Sequence, residues 1–257
     1  MSQQVFSLSS LNNLRKFTRK HLAIPVTETM EANLHQEVPE PESIGALGGV
    51  FRIDNQLSGI VKPEQWFIST ADAGIVLRRL PGLYLKTGYR LITYLYHSSS
   101  KDTTSITWAI SERLSNTIHL EAALVDADGE DLPPYPEGAA RDYMKMIEGS
   151  RTPASFITAS LFQRELQEFG HSGKFQRWGH HHLITGPPRQ GQWQWQIRHQ
   201  PASFSPRVRL VPSGKALVEF YTYRAIPPQG IFHHVDRYTG KGYMAKTTEQ
   251  LIARRIV

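Results

Sequence analysis

The chain of 257 residues contains no cysteine. That excludes a disulfide framework, and with it any thiolate zinc centre, iron–sulfur cluster or cysteine nucleophile. The absence fits a reducing compartment. Long hydrophobic runs are missing too, since no window approaches the roughly 20 apolar residues of a membrane span. Arg15, Lys16, Arg19 and Lys20 are not followed by the apolar stretch of about 7–15 residues that a secretory signal needs. The expectation is a soluble chain, not secreted, with no membrane partner. Catalytic signatures are lacking as well. There is no G-x-S-x-G elbow, and Gly170-His-Ser-Gly-Lys174 has neither the spacing of a phosphate loop nor a Ser or Thr after its lysine. Gly240-Lys-Gly242 reads as turn chemistry.

Charge of one sign is missing from each part of the amino-terminal region. Residues 1–21 carry four basic side chains and no acid; residues 22–45 carry Glu28, Glu31, Glu37, Glu40 and Glu42 and no Lys or Arg. Such separation suits either a solvated tail or an arm that lies along other surfaces. The whole chain has 29 Lys+Arg against 23 Asp+Glu, a formal charge of +6, which is a mild bias toward polyanions.

What is present is a core's worth of apolar residues, 40% of the chain, including 5 Trp, 10 Tyr and 11 Phe. That is enough for most of the chain to offset the entropy of ordering. The dominant pattern is period-2 alternation. Trp193, Trp195, Ile197 and His199 fall on one face, with Gln192, Gln194, Gln196 and Arg198 on the other, as a half-buried strand requires. Strand candidates recur at 50–53, 66–70, 74–80, 89–97, 105–111, 117–126, 175–184, 192–199, 207–211 and 215–226. Their short spacing, broken by Gly, Pro, Asn and Asp, favours a sandwich or barrel over βαβ units. In 105–111, Ile106, Trp108 and Ile110 alternate with polar residues; in 117–126, Ile118, Leu120, Ala122 and Leu124 do the same, so each strand is expected to have one wet face.

Helix signals are fewer. Residues 11–21 suit one or two amphipathic turns, with Pro25, Pro39 and Pro41 preventing a long continuation. Residues 137–148 predict a short helix with Ala140, Tyr143, Met144 and Ile147 on one side. Thr152 and Pro153 look like an N-cap and first helical position and Gly170 like a stop, yet 155–161 suits a strand equally. The expected organisation is an N-terminal arm over 1–45, joined at Gly45, Gly48 and Gly49 to an all-β sandwich over 46–228, then a weakly patterned C-terminal extension over 229–257.

Three clusters carry chemical possibilities beside plainer readings. His180 and His182 share a face if their segment is a strand, and His234, His199 or Asp236 would complete a three-ligand metal site with an open position for water. Surface or hydrogen-bonding histidines are the plainer reading. Lys174, Arg177, Trp178, Trp193, Trp195, Arg198, Arg207 and Arg209 suit stacking on single-stranded nucleic acid, but Trp193 and Trp195 lie where a core would claim them. Leu132-Pro-Pro-Tyr135 is similar to peptides that dock on WW-type modules, and loop chemistry explains it equally well.

The opening Met1-Ser-Gln-Gln-Val-Phe-Ser-Leu-Ser9 resembles the start of the comovirus large coat protein, M-x-Q-x-x-F-x-L-S. The resemblance implies a picornavirus-like jelly roll with arms at both ends and a long final strand. It implies a structural coat protein of an icosahedral RNA virus, without catalysis or cofactor, that assembles with copies of itself or companion coat proteins around genomic RNA. Its place would be the virion, and the host cytoplasm during assembly. Arg15, Lys16, Arg19 and Lys20 are then the expected RNA contacts. Two alternatives stand beside it. Ala123-Leu-Val-Asp126 resembles the strand-then-Asp signature of plant-virus movement proteins, a single-strand-binding class. A metal-dependent β-barrel enzyme would use His180, His182 and His234.

Overall fold

The computed structural model describes residues 2–22, 64–100, 102–140, 142–189 and 191–256. The 50–53 strand, the acidic run and the glycine join lie outside the described residues. The fold is mostly antiparallel β-sheet, as an all-β chain requires. The strands are β1 (Ser2–Val5), β2 (Trp66–Ile68), β3 (Leu83–Leu85), β4 (Tyr89–His97), β5 (Thr103–Ser111), β6 (Ile147–Gly149), β7 (His181–Ile184), β8 (Gln192–Trp195), β9 (Arg207–Leu210), β10 (Ala216–Arg224), β11 (Gly230–Tyr238) and β12 (Ala245–Ile256). Seven of them form a curled half-barrel, six in the order β1-β9-β10-β11-β12-β8 and the seventh, β7, off that path beside β10. On one side β10 pairs with β11 along its length; its other side is shared by β9, opposite Ala216–Glu219, and β7, opposite Tyr221–Arg224. A three-stranded sheet (β2-β4-β5) and the pair β3-β6 complete the strands.

Helices α1 (Leu8–Leu22), α2 (Ala73–Arg78), α3 (Thr117–Val125) and α4 (Pro153–Glu168) pack against these sheets. In α4 the N-cap signal prevails over the strand alternative: Thr152 accepts a hydrogen bond from Ser155 N at 3.2 Å and Pro153 occupies the first turn. The helix is buried nearly all round, because the half-barrel lies on one side and the three-stranded sheet and α1 on others. Its small polar residues fit that crowding. Ser155 and Ser160 bond the hydroxyls of Tyr243 (2.7 Å) and Tyr238 (2.8 Å).

Several sequence expectations give way. Residues 74–80 and 117–126 are not strands but α2 and α3. Asp72 accepts from Gly74 N (2.7 Å), and Asn116 accepts from His119 N (3.1 Å), so each helix starts at a side-chain cap. Ala123, Leu124 and Val125 are therefore helical, and the strand-then-Asp signature does not form. Only the turn Tyr143–Met146 of 137–148 is helical, and Ile147–Gly149 is a strand. The wet face expected of β5 is covered: Ala109 joins the main core, while Trp108 and Ile110 join a second core with Leu120 of α3. Residues 229–257, read as an extension, supply β11 and β12 of the half-barrel. Residues 2–22, the described beginning of the expected arm, supply β1 and α1, with Leu11 and Leu22 buried in the main core.

The main core lines the half-barrel with Val208, Val218, Phe220 and Tyr238 and meets Phe156, Phe162 and Leu166 of α4. On the other face of the sheet, Trp193, Trp195 and Ile197 pack on Phe204, Tyr221, Ile231 and Ile252, as their alternation predicts.

Candidate functional site

Charged side chains gather at one end of α4, where an otherwise uncharged helix ends in Arg164, Glu165 and Glu168, all buried. Burying a charge costs free energy unless it is paired and hydrogen-bonded; Arg164 and Glu165 are both, and Glu168 is hydrogen-bonded to backbone N–H groups. Arg164 grips Asp236 of β11 with Nη1 at 2.6 Å from Oδ2 and Nη2 at 2.7 Å from Oδ1, and Nη1 also donates to Ser160 O. Burial pulls the Arg164 guanidinium toward neutrality, but the Asp236 charge and its hydrogen bonds outweigh that and hold it above its ordinary pKa. Glu165 accepts from Arg15 Nε (2.6 Å), Arg19 Nε (2.5 Å) and Trp178 Nε1 (2.8 Å). Glu168 accepts from the backbone N–H groups of Arg177 (2.6 Å) and Gly179 (3.0 Å), fixing the connection into β7.

A cavity of about 530 Å³ opens beside this group. Its lining comes from three places: Gln163, Arg164, Gln167 and Glu168 of α4; His171, Phe175, Arg177, Trp178 and His181 from the connection and β7; Thr247, Thr248 and Glu249 of β12. Trp178 is its aromatic wall. The Arg15 guanidinium lies 4.4 Å from the Trp178 ring centre, and His181 stacks on the indole at 5.5 Å.

The imidazoles beneath the wall are held neutral. Burial, then the charges of Arg224, Arg15 and Arg164, push His181 down to about 3. Burial and then Arg164 push His234, fully buried, well below the usual histidine value. Thr222 of β10 sits between them, its Oγ1 at 2.7 Å from both His181 Nδ1 and His234 Nε2. Glu249, half-exposed at the mouth, is raised above the usual carboxylate range chiefly by desolvation.

The sequence-derived site residues are distributed as follows. Arg15 and Arg19 converge on Glu165, with Arg15 buried; Lys16 is exposed and Lys20 half-buried. Burial, opposed by Glu165, lowers the Arg15 pKa. Of the histidine set, only His234 enters the cluster. His180 closes a short 3₁₀ turn and His182 is exposed, because β7 begins at His181 and the register turns the intervening imidazole inward. Asp236 is taken up by Arg164, and His199 is exposed beyond β8. Sequence reasoning missed Arg164, Glu165, Glu168, His181 and Glu249; for the first three the available signal was three charges in the last two turns of a helix whose earlier residues are uncharged.

A scan against protein-family models and searches of curated proteins and of solved structures each found no match.

Proposed function

We propose that this chain is a small-molecule-binding protein whose ligand occupies the cavity between α4, the β7 approach and β12. The observation that carries this reading is the concentration of buried charge and neutral imidazole around one opening, an arrangement that stability alone does not favour and that binding sites exploit. Trp178 and Phe175 offer a face for an unsaturated or apolar body. Gln163, Gln167, Thr247 and Thr248 offer neutral hydrogen-bonding groups around it.

The test is a thermal-shift screen of the full chain against polar compounds of metabolite size. A ligand at about 100 times its Kd adds about 2.7 kcal/mol, which is roughly 5–10 °C for a chain of this size. Thr247→Trp, at an exposed strand position on the rim, is expected to abolish that shift. No stabilising compound, or an equal shift in T247W, overturns the reading.

A jelly-roll coat protein enclosing genomic RNA is the competing proposal, supported by the nine-residue resemblance and by exposed Lys16. It asks Arg15 and Arg19 to leave Glu165 in order to reach a phosphate. Electron microscopy of the purified chain separates the two, with closed particles of uniform size favouring the shell.

A further inference from the structure

We infer that His181, His234 and Glu249 form a binding site for a divalent transition metal, zinc being the ion best suited to two imidazoles and a carboxylate. The inference deepens the cavity reading, since all three residues border or underlie that opening.

One potential ligand atom from each residue lies within 4.8 Å of the others. Independent of that proximity, His234 Nδ1 is buried and has no hydrogen-bond partner among the described residues. It points at Glu249 Oε2 from 3.5 Å, well beyond the roughly 2.7–2.9 Å of a charge-assisted hydrogen bond. A nitrogen and a carboxylate held apart at that separation make sense with a cation between them.

Thr222 supplies the rest of the logic. A hydroxyl oxygen has two lone pairs, and here it lies 2.7 Å from one nitrogen of each imidazole. When both rings donate their N–H to Thr222, each presents a lone pair at its other nitrogen, the form a metal requires. An outer hydrogen bond that fixes tautomer and ring orientation is the usual companion of a ligating histidine. Asp236 is excluded from the set because both of its oxygens are held by Arg164. Three protein ligands leave a further position open toward the cavity, where water or a ligand oxygen would bind.

The experiment uses the full chain, stripped with a chelator and titrated with Co²⁺ followed by visible absorption, with Zn²⁺ content measured by elemental analysis after dialysis. One equivalent of metal is expected, with d–d bands of a low-coordinate nitrogen and oxygen site. Glu249→Gln, at a half-exposed position where folding is retained, is expected to weaken binding at least tenfold, whereas His182→Gln leaves it unchanged. Thr222→Val, with its fold checked by circular dichroism, is expected to weaken binding by about 10–100-fold. Failure of the wild-type chain to bind stoichiometric metal, or equal binding by E249Q, overturns the inference. Metal-free protein that is still stabilised by compounds from the screen, and binds no Co²⁺, removes the metal while leaving the cavity reading intact. One equivalent of metal without any stabilising compound does the reverse.

Discussion

Glu165→Gln tests how the amino-terminal helix is held. Glu165 is 1% exposed in its side chain and faces Arg15, 7% exposed, and Arg19, 24% exposed. Glutamine keeps the volume and one acceptor for Trp178 but removes the charge shared by two guanidiniums. Arg19 can swing toward solvent, whereas Arg15, between Glu165, Trp178 and the His181 carbonyl at 2.8 Å, cannot. An uncompensated buried charge costs about 3–5 kcal/mol. For a chain of this length that lowers Tm by roughly 6–20 °C. Scanning calorimetry of the full chain at neutral pH reads it directly. The paired change Arg15→Met with Glu165→Met removes both members, and is expected to destabilise less than E165Q alone. The reasoning fails if E165Q melts within about 2 °C of the parent, a shift worth no more than about 1 kcal/mol, or if the two single changes to Met simply add.

Two further outcomes follow from the packing and the electrostatics. Gly149→Ala would drive a methyl into the Gly82 carbonyl oxygen and to 2.8 Å from the Tyr243 hydroxyl, so a loss of about 1–3 kcal/mol is expected in urea unfolding; an unchanged midpoint would contradict the register of β3 on β6. Glu219 is opposed by burial but held down to about 2 by hydrogen bonds from His233 and Arg207. A depressed carboxyl stabilises the fold fully above its ordinary pKa and loses that contribution as pH falls through the depressed value. The deficit of Glu219→Gln relative to the parent should thus be largest near neutrality and shrink as pH drops from 4.5 toward 2. A deficit that stays constant across that window would show that the charge is not what matters.

The parts of the fold that were legible in the sequence are those where a local rule and the tertiary environment agree. β4 and β10 follow apolar runs between turn signals, whereas α4, despite its cap and proline, stays open between helix and strand because 155–161 suits either. α3 was misread because its apolar residues do not share one helical face: Leu120 is buried, while Ile118 is 80% and Val125 83% exposed. Those two exposed side chains complete an accidental alternation, and the true signal was Asn116. β11 was missed for a different reason. Its inward positions are Phe232, His234, Asp236 and Tyr238, and the two polar members break the apolar period. The residues that make the candidate site are thus the ones that hid the strand carrying them. Arg164 and Asp236 are 72 positions apart, so no local pattern pairs them.

The pairing of Ser2 with Leu210 and of Arg15 with Glu165 ties the first described segment to positions far along the chain. The first strand has its partner in Arg207–Leu210, whereas α1 packs both on α4 and, much nearer in sequence, on α2. The apolar side of α1, with Leu11 and Leu22, is covered by residues from both of these helices. Contacts of such long sequence separation slow folding and prolong exposure to aggregation. Closing the edge of the half-barrel with β1 is consequently the most topologically distant step of the fold, and the one that the length of the intervening chain slows most.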